Sequence, residues 1–151
     1  MTKRWGSIKI KRALCQCELR EKRKTAVAAN TPLSDNGPMT ILHITTENEW
    51  QTAVAAGQYR ADSLESEGFI HCSTIQQVLM PANQMYAGRS DLILLTIDPA
   101  KLTAKLVYED CYETGHQFPH IYGPLNLDAV TGFVAFPPNP DGTFSLPAGL
   151  A

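Results

Sequence analysis

The sequence lacks the long apolar segments that membrane insertion and secretion require. It contains no run of about 18 apolar residues, which is what a membrane-spanning helix needs. Residues 1–24 also lack the continuous apolar stretch and the small-residue cleavage site of a secretory signal. The sequence therefore predicts neither a membrane protein nor one exported by such a signal.

Cysteine is scarce, and its spacing does not indicate a disulfide framework. The four cysteines are Cys15 and Cys17 near the start, and Cys72 and Cys111 in separate apolar surroundings. Small secreted domains that depend on disulfides carry denser and more regular cysteine patterns. A reducing, cytoplasmic location is the prediction.

Positive charge is scarce after residue 38. Residues 1–38 hold nine Lys or Arg against three acids, whereas residues 39–151 hold four against twelve. An acidic body repels phosphate backbones, and the four later basic residues are scattered. Residues 39–151 are therefore not expected to bind nucleic acid, and only the basic start could recruit it.

The length of 151 residues favours one globular domain. Residues 1–38 are predicted to be a basic, disordered extension, because residues 25–38 have the composition of a linker and a strand-like run opens at Met39. An organellar presequence fits less well, since the segment contains Glu18 and Glu21 and little serine. A misassigned start is the other interpretation. The globular domain is predicted to span 39–147.

The first elements have clear local signals. Residues 40–45, "TILHIT", predict a strand with His43 on the face opposite Leu42 and Ile44. Thr46 and Glu49 have the spacing of a capping box, which predicts a helix over 47–57 that ends at Gly57. Three residues are expected to face the core from that helix: Trp50, Ala53 and Val54.

Residues 67–74, "EGFIHCST", predict a second substantial strand with two different faces. Alternate side chains of a strand point to opposite sides, so Phe69, His71 and Ser73 share one side. Ile70 and Cys72 lie on the other side, which is wholly apolar. We therefore expect His71 and Ser73 to face a ligand cleft.

The remaining segments complete an α+β pattern with a mixed, twisted sheet. A helix over 74–88, capped by Ser73 or Thr74, should be kinked or split by Pro81. The later predictions are a central strand buried on both faces (91–98), a strand (104–110), a loop leading into a short strand (114–124), a helical turn and strand (127–136), and a terminal loop (137–150).

Three residues on predicted strands could perform acid-base chemistry or hold a ribose: His43, His71 and Glu109. Histidine titrates near neutral pH, and burial can tune a glutamate, so the three could work together if their strands are neighbours. The alternative is that the histidines are structural and the carboxylate is exposed. The residues alone leave both interpretations open.

His120 and Tyr122 in "FPHIYG" are two positions apart and should lie on one side of the chain. They fall in a predicted loop, where functional groups concentrate. The alternative is a packing motif in which Tyr122 covers the edge of the core. The residues favour neither.

Common catalytic and metal-binding motifs are absent. His116 and His120 form an HxxxH pattern, but Pro119 opposes the helix that would bring both rings together, and no CxxC or HExxH accompanies them. Cys72 alternates away from His71 and looks buried, which argues against a Cys-His hydrolase. No metal site is predicted. The sequence also has no nucleophile elbow, dinucleotide-binding glycine motif or phosphate loop.

Several segments together resemble a small, mainly bacterial family known as domain of unknown function 952. They are "ILHIT", "SLESEGFIHCST", "LLTID", "YED" and "FPHIYGPL", within residues 39–136. The resemblance implies an α+β fold like that of the ADP-ribosyltransferase superfamily. It implies no established activity for the family.

Transferases of that superfamily bind NAD in a cleft between two small sheets, so the resemblance implies NAD as a co-substrate and no other cofactor. His43 would position the adenosine ribose, and His71 with Ser73 would fix the nicotinamide side, although His71 stands where an aromatic residue is usual. Glu109 would stabilise an oxocarbenium-like state during cleavage of the nicotinamide glycosidic bond. The further ligand-binding residues are predicted to be Gln76, His120 and Tyr122.

Two other functions remain open. The domain could be a noncatalytic module that binds a small ligand or a protein, in which case Glu109 should be solvated and turned away from His43 and His71. Alternatively, residues 1–24 could recruit nucleic acid that the domain modifies. A small-molecule ligand is the expected partner, and the sequence does not predict an oligomeric state.

Overall fold

The structure, a computed structural model, describes residues 39–150, and the extension predicted for residues 1–38 lies outside them. The described part contains three α-helices, eight strands and two short 3₁₀ turns, at Pro99–Lys101 and Leu127–Ala129. The helices are α1 (Glu47–Ala56), α2 (Asp62–Ser66) and α3 (Leu79–Met85). The strands are β1 (Ile41–Thr46), β2 (Gln58–Tyr59), β3 (Ile70–His71), β4 (Leu92–Ile97), β5 (Lys105–Glu109), β6 (Phe118–Tyr122), β7 (Leu125–Asn126) and β8 (Val130–Ala135).

The first sheet has the order β1-β4-β8 and is antiparallel throughout. Side chains of β4 alternate between two hydrophobic clusters: Ile93, Leu95 and Ile97 join one, and Leu92 and Leu94 join the other. A strand that is covered on both faces needs apolar residues at every position. The predicted central strand is confirmed, because β4 lies between β1 and β8 and is covered on both faces.

Helix α1 begins and ends where its caps predict. The Thr46 hydroxyl accepts from the Glu49 N–H, the Glu49 carboxylate accepts from the Thr46 N–H, and Gly57 ends the helix at a φ of 84°. The prediction that Val54 faces the core is wrong, because its side chain is 49% exposed. Trp50 and Ala53 form the buried stripe, and Val54 lies about 100° around the helix from Ala53.

The second sheet has the order β3-β6-β5 and is also antiparallel. The loop predicted to contain His120 and Tyr122 is instead the central strand of this sheet. The turn residues and polar groups of residues 114–124 predicted a loop leading into a short strand. Pro119 lies within β6 although it has no N–H to donate. Its carbonyl nevertheless accepts from the Cys72 N–H at 2.9 Å, and it stands opposite Tyr108 of β5.

The predicted strand over residues 67–74 is mostly irregular. Gly68 turns the chain at a φ of 90°, and only Ile70 and His71 pair with β6. Ser73 then pairs with Leu42 of β1 through two main-chain hydrogen bonds of 2.7 and 2.8 Å. The segment is short because it changes partner, and this change joins the two sheets.

Helix α3 is half as long as predicted, and its side-chain cap is absent. Residues 74–78 form turns, and the helix begins at Leu79 with Val78 at its N-cap position. Pro81 therefore lies in the first turn, where a missing N–H costs no intrahelical hydrogen bond. No kink is needed to accommodate it.

A two-stranded ladder of β2 and β7 completes the α+β architecture. All pairings between the described strands are antiparallel. The prediction of a sheet with both parallel and antiparallel strands is therefore wrong. In residues 39–150, no helix has the length and apolar character needed to cross a membrane.

Candidate functional site

Polar side chains gather on the second sheet around the buried ring of Phe69. We call this group the imidazole–carboxylate cluster. Its members are Glu67, His71, Glu109, Tyr112, His120 and Tyr122. Its two carboxylates, those of Glu67 and Glu109, are each 1% exposed. Buried carboxylates need hydrogen-bond partners, and the cluster supplies them from histidine and tyrosine.

The first half of the cluster joins Glu67, His71 and Tyr112. His71 Nε2 lies 3.1 Å from Glu67 Oε1, and the Tyr112 hydroxyl donates to Glu67 Oε2 at 2.8 Å. Tyr112 also lies 3.2 Å from His71 Nε2. Because a carboxylate can only accept, the Nε2 of His71 carries a proton that it donates to Glu67.

The other ring nitrogen of His71 is available for chemistry. Nε2 holds the proton, so Nδ1 of the neutral ring carries a lone pair. No hydrogen bond joins Nδ1 to another residue within 39–150, and the side chain of His71 is 29% exposed. A histidine oriented by a carboxylate and open on its other nitrogen can act as a general base or accept a hydrogen bond from a ligand.

The second half joins Glu109, His120 and Tyr122 in the interior. His120 Nδ1 lies 3.0 Å from Glu109 Oε1, and the Tyr122 hydroxyl donates to the same oxygen. Glu109 Oε2 is buried without a hydrogen-bond partner. An unpaired buried carboxylate oxygen is costly, and such groups are retained where they serve a function or meet a ligand.

Ring contacts connect the two halves. The ring of His120 stacks on Phe69 at a centroid distance of 4.2 Å and meets the ring of His71 edge to face at 5.2 Å. Phe69 also contacts His71 edge to face at 4.9 Å. A chain of contacts therefore runs from the partly exposed His71 to the buried Glu109, with His120 between them.

His43 contacts this cluster only through the main chain of β3. Its Nδ1 lies 2.5 Å from the carbonyl oxygen of His71, and its Nε2 lies 2.9 Å from the Tyr59 hydroxyl. The residue is 6% exposed. The ring of His43 thus contacts the main chain of His71 and not its imidazole. Glu109 forms its hydrogen bonds with His120 and Tyr122 instead of with either of these histidines.

The other predicted residues lie at different places. Ser73 is buried and pairs with Leu42 through its main chain, whereas Gln76 is exposed in the turn before α3. His120 and Tyr122 belong to the cluster. Tyr122 also lines a surface pocket of about 390 Å³ beside Gly57 and Asn126.

One group of side chains in the described residues has metal-ligating atoms close together. These atoms of Glu109, Cys111 and His120 lie within 4.8 Å of one another. Glu109 and His120 already share a hydrogen bond, which accounts for their approach. The two histidines of the HxxxH pattern differ in environment, because His116 is exposed and His120 is buried.

Burial and hydrogen bonds shift the protonation of several groups. Burial opposes ionisation of Glu67, but the hydrogen bonds from His71 and Tyr112 outweigh it and hold its pKa below the usual value. Burial lowers the pKa of His43 to about 4 and also lowers that of His120, against the opposing effect of Glu109. Burial raises the pKa of the Cys72 thiol, which keeps it protonated.

Glu67 and Tyr112 were not expected in the site. Glu67 lies four residues before His71, and Gly68 between them permits the sharp turn that brings their side chains together. Tyr112 follows Glu109 by three positions, just beyond the end of β5. The available signal was the clustering of Glu, His and Tyr in "EGFIH" and "YEDCY", which the alternation of a regular strand concealed.

Comparison with known proteins identifies the family of the chain. The model of the family described as "Protein of unknown function (DUF952)" matches residues 44–133. The chain belongs to this family. The matched region contains both halves of the cluster, all of β4 and parts of β1 and β8. A comparison with curated proteins gave no match.

Two experimental structures of the protein CC0527 from Caulobacter crescentus are similar to this DUF952 chain. The crystal structure shares 30% identity with a TM-score of 0.67, and the match covers 74% of this chain and 97% of that one. The solution NMR structure shares 30% identity with a TM-score of 0.61, covering 70% and 90%. The antiparallel α+β fold is therefore shared with an experimentally determined protein.

Proposed function

We propose that the imidazole–carboxylate cluster binds NAD or a related nucleotide at His71 and cleaves the nicotinamide glycosidic bond or transfers ADP-ribose. The observation that carries this proposal is the orientation of His71. Its Nε2 is held by the buried Glu67, and its Nδ1 is open on a side chain that is 29% exposed. The resemblance to ADP-ribosyltransferases supplies the choice of ligand.

The reaction would proceed through an oxocarbenium-like state. The bond between ribose C1′ and the nicotinamide nitrogen breaks, and nicotinamide leaves with the bonding electrons. Water or an acceptor nucleophile then attacks C1′ and loses its proton to His71 Nδ1. Negative charge near the sugar stabilises this state, and the cluster contains two buried carboxylates, Glu67 and Glu109.

The geometry suggests a supporting position for Glu109 in this mechanism. At 1% exposure Glu109 does not contact a ligand in this conformation, so we assign its effect to His120, which it holds through Nδ1. His43 is likewise assigned a positioning role, because both of its ring nitrogens have partners inside the protein. His71 is the residue assigned to direct contact.

The second candidate is a noncatalytic module that binds a small ligand. Burial of Glu109 favours it in one respect, since no acid in direct contact with a sugar is available without rearrangement. That candidate also predicts a solvated Glu109, which disagrees with its burial. It further predicts a Glu109 that is not directed at His43 or His71, which agrees with the hydrogen bonds of Glu109 to His120 and Tyr122. Binding without turnover is what separates this candidate from the transferase.

Calorimetric titration of the full chain with NAD tests the binding, and release of nicotinamide tests the chemistry. We expect heat of binding at millimolar NAD or below, at least tenfold weaker binding for His71→Ala, and no change for the control His116→Ala, which alters an exposed histidine. No heat with the parent protein would remove the NAD proposal. Binding without nicotinamide release would leave the noncatalytic module.

A further inference from the structure

Four side chains form a continuous hydrogen-bonded path from the surface to the core beside β3. We call it the His43 path. His43 Nε2 lies 2.9 Å from the Tyr59 hydroxyl, which lies 2.9 Å from Thr45 Oγ1, which lies 3.1 Å from Glu49 Oε2. Glu49 is exposed in the first turn of α1, whereas His43, Thr45 and Tyr59 are buried.

The three contacts of the path need three protons, one for each hydrogen bond, but the neutral His43 ring and the ionised Glu49 leave only two. The carbonyl of His71 can only accept, so His43 Nδ1 must carry the proton of the neutral ring. The three contacts from Nε2 to Glu49 then share only two protons, those of the Tyr59 and Thr45 hydroxyls. In the neutral ring and ionised carboxylate, one contact therefore has no proton.

One added proton satisfies every contact, and it can do so from either end. On His43 it makes each group donate outward, from Nε2 to Tyr59, to Thr45, and to the Glu49 carboxylate. On Glu49 it makes each group donate inward, from the carboxyl to Thr45, to Tyr59, and to Nε2. Three proton transfers along the path convert one arrangement into the other without breaking a heavy-atom contact.

We infer that the His43 path conducts protons between solvent at Glu49 and the buried imidazole of His43. With the carboxylate ionised, Tyr59 donates to Thr45 and Thr45 donates to Glu49. In one passage a proton binds the Glu49 carboxylate, and the two hydroxyls turn to donate inward. The proton then passes to Thr45 while the Thr45 proton passes to Tyr59 and the Tyr59 proton passes to Nε2. The products are an ionised Glu49 and a positively charged His43. The buried ring can thus change its charge without opening of the core.

A positive charge on His43 would act on His71, because the two residues are in contact. Within the described residues, the titratable groups that face His43 are Tyr59 from β2, His71 from β3 and Glu49 from α1. Strand β4 faces it with Leu95. The charged ring would lie against the carbonyl of His71, the residue with the open nitrogen. The path therefore places a switchable positive charge beside His71, and this inference does not depend on the identity of the ligand.

Imidazole ¹⁵N NMR of the full chain measures both the tautomer and the rate of proton exchange at His43. We expect a proton on Nδ1 at pH 7. Thr45→Val, which keeps the side-chain shape but removes the hydroxyl, should slow protonation roughly tenfold or more, because protons would then enter only through local opening. Glu49→Gln should slow it in the same direction.

Two comparisons keep the test decisive. Glu47→Gln changes an exposed carboxylate in the same helical turn and should leave the rate unchanged. If Thr45→Val does not fold, Glu49→Gln alone decides, since Glu49 is at the surface. An unchanged rate in Glu49→Gln and in folded Thr45→Val, or a proton on Nε2 instead of Nδ1 at pH 7, would overturn the inference.

Discussion

At the scale of single residues, the buried carboxylate of Glu67 is predicted to contribute to stability. Glu67→Gln removes the charge that accepts from His71 and Tyr112, so we expect the free energy of unfolding to fall by about 1–3 kcal/mol at pH 7. The lowered pKa of Glu67 means that this contribution is present above the ordinary value of 4.5 and is lost as pH falls further. Urea unfolding at several pH values measures it.

Glu65→Gln is the matched control, because Glu65 is exposed two positions earlier in the chain. It should change stability by less than about 0.5 kcal/mol. The difference between the parent protein and Glu67→Gln should narrow below pH 4.5. A difference that widens as the pH falls would contradict the assignment.

The hydroxyl of Tyr122 is expected to matter because it donates to a buried carboxylate that has few partners. Tyr122→Phe leaves Glu109 with His120 as its remaining donor among the contacts described above, and we expect a loss of about 1–3 kcal/mol at pH 7. Tyr108→Phe on neighbouring β5 is the control. Thermal or urea unfolding that shows equal losses for both would refute a special role for the Tyr122 hydroxyl.

At the scale of secondary structure elements, the capping box of α1 gives a local prediction. Thr46→Ala removes the acceptor for the Glu49 N–H, so the protein should lose about 1 kcal/mol of stability. Thr52→Ala removes a hydroxyl that bonds the Asn48 carbonyl inside the same helix and should be nearly neutral. Chemical unfolding of both variants measures the difference, and a neutral Thr46→Ala would contradict it.

Elements with local causes could be predicted from the sequence. The limits of α1 follow from Thr46, Glu49 and Gly57, and β4 follows from its apolar run. The extent of β3 and the strand at β6 could not be predicted in the same way. Their form depends on distant partners, since Pro119 accepts from Cys72 and Ser73 pairs with Leu42.

The candidate site shows the same division. Alternation along the chain correctly put Phe69 and His71 on one side, and their rings touch. It could not reveal that Glu67 would be the partner of His71, because that pairing requires the turn at Gly68. Nor could it show that His120 would stand between His71 and Glu109, since strand order is set by long-range packing.

At the scale of the whole molecule, stability should fall as the solution becomes acidic. His43 has its pKa lowered by burial from 6.5 to about 4, so the unfolded chain binds more protons between these values. The contribution of the neutral His43 to the free energy of unfolding is therefore fully present above pH 6.5 and is lost towards pH 4. The loss is no more than about 1.4 kcal/mol per pH unit for this residue. The lowered pKa of His120 acts in the same direction.

Urea unfolding between pH 7 and pH 4 measures this dependence. His43→Asn should reduce the slope, whatever its effect on stability at pH 7, because the titrating group is gone. His116→Gln, which changes an exposed histidine, should leave the slope unchanged. An identical slope for the parent protein and His43→Asn would show that burial of His43 is not a cause of the acid sensitivity.

The change of partner after β3 has a consequence for how the molecule opens. Residues 70–71 are held by β6, and Ser73, two positions later, is held by β1. Neither sheet can separate from its neighbour without pulling on the same few peptide groups. Amide deuterium uptake at Leu42 and at Ile121 should therefore proceed through one common cooperative opening, with the same free energy of opening at both amides.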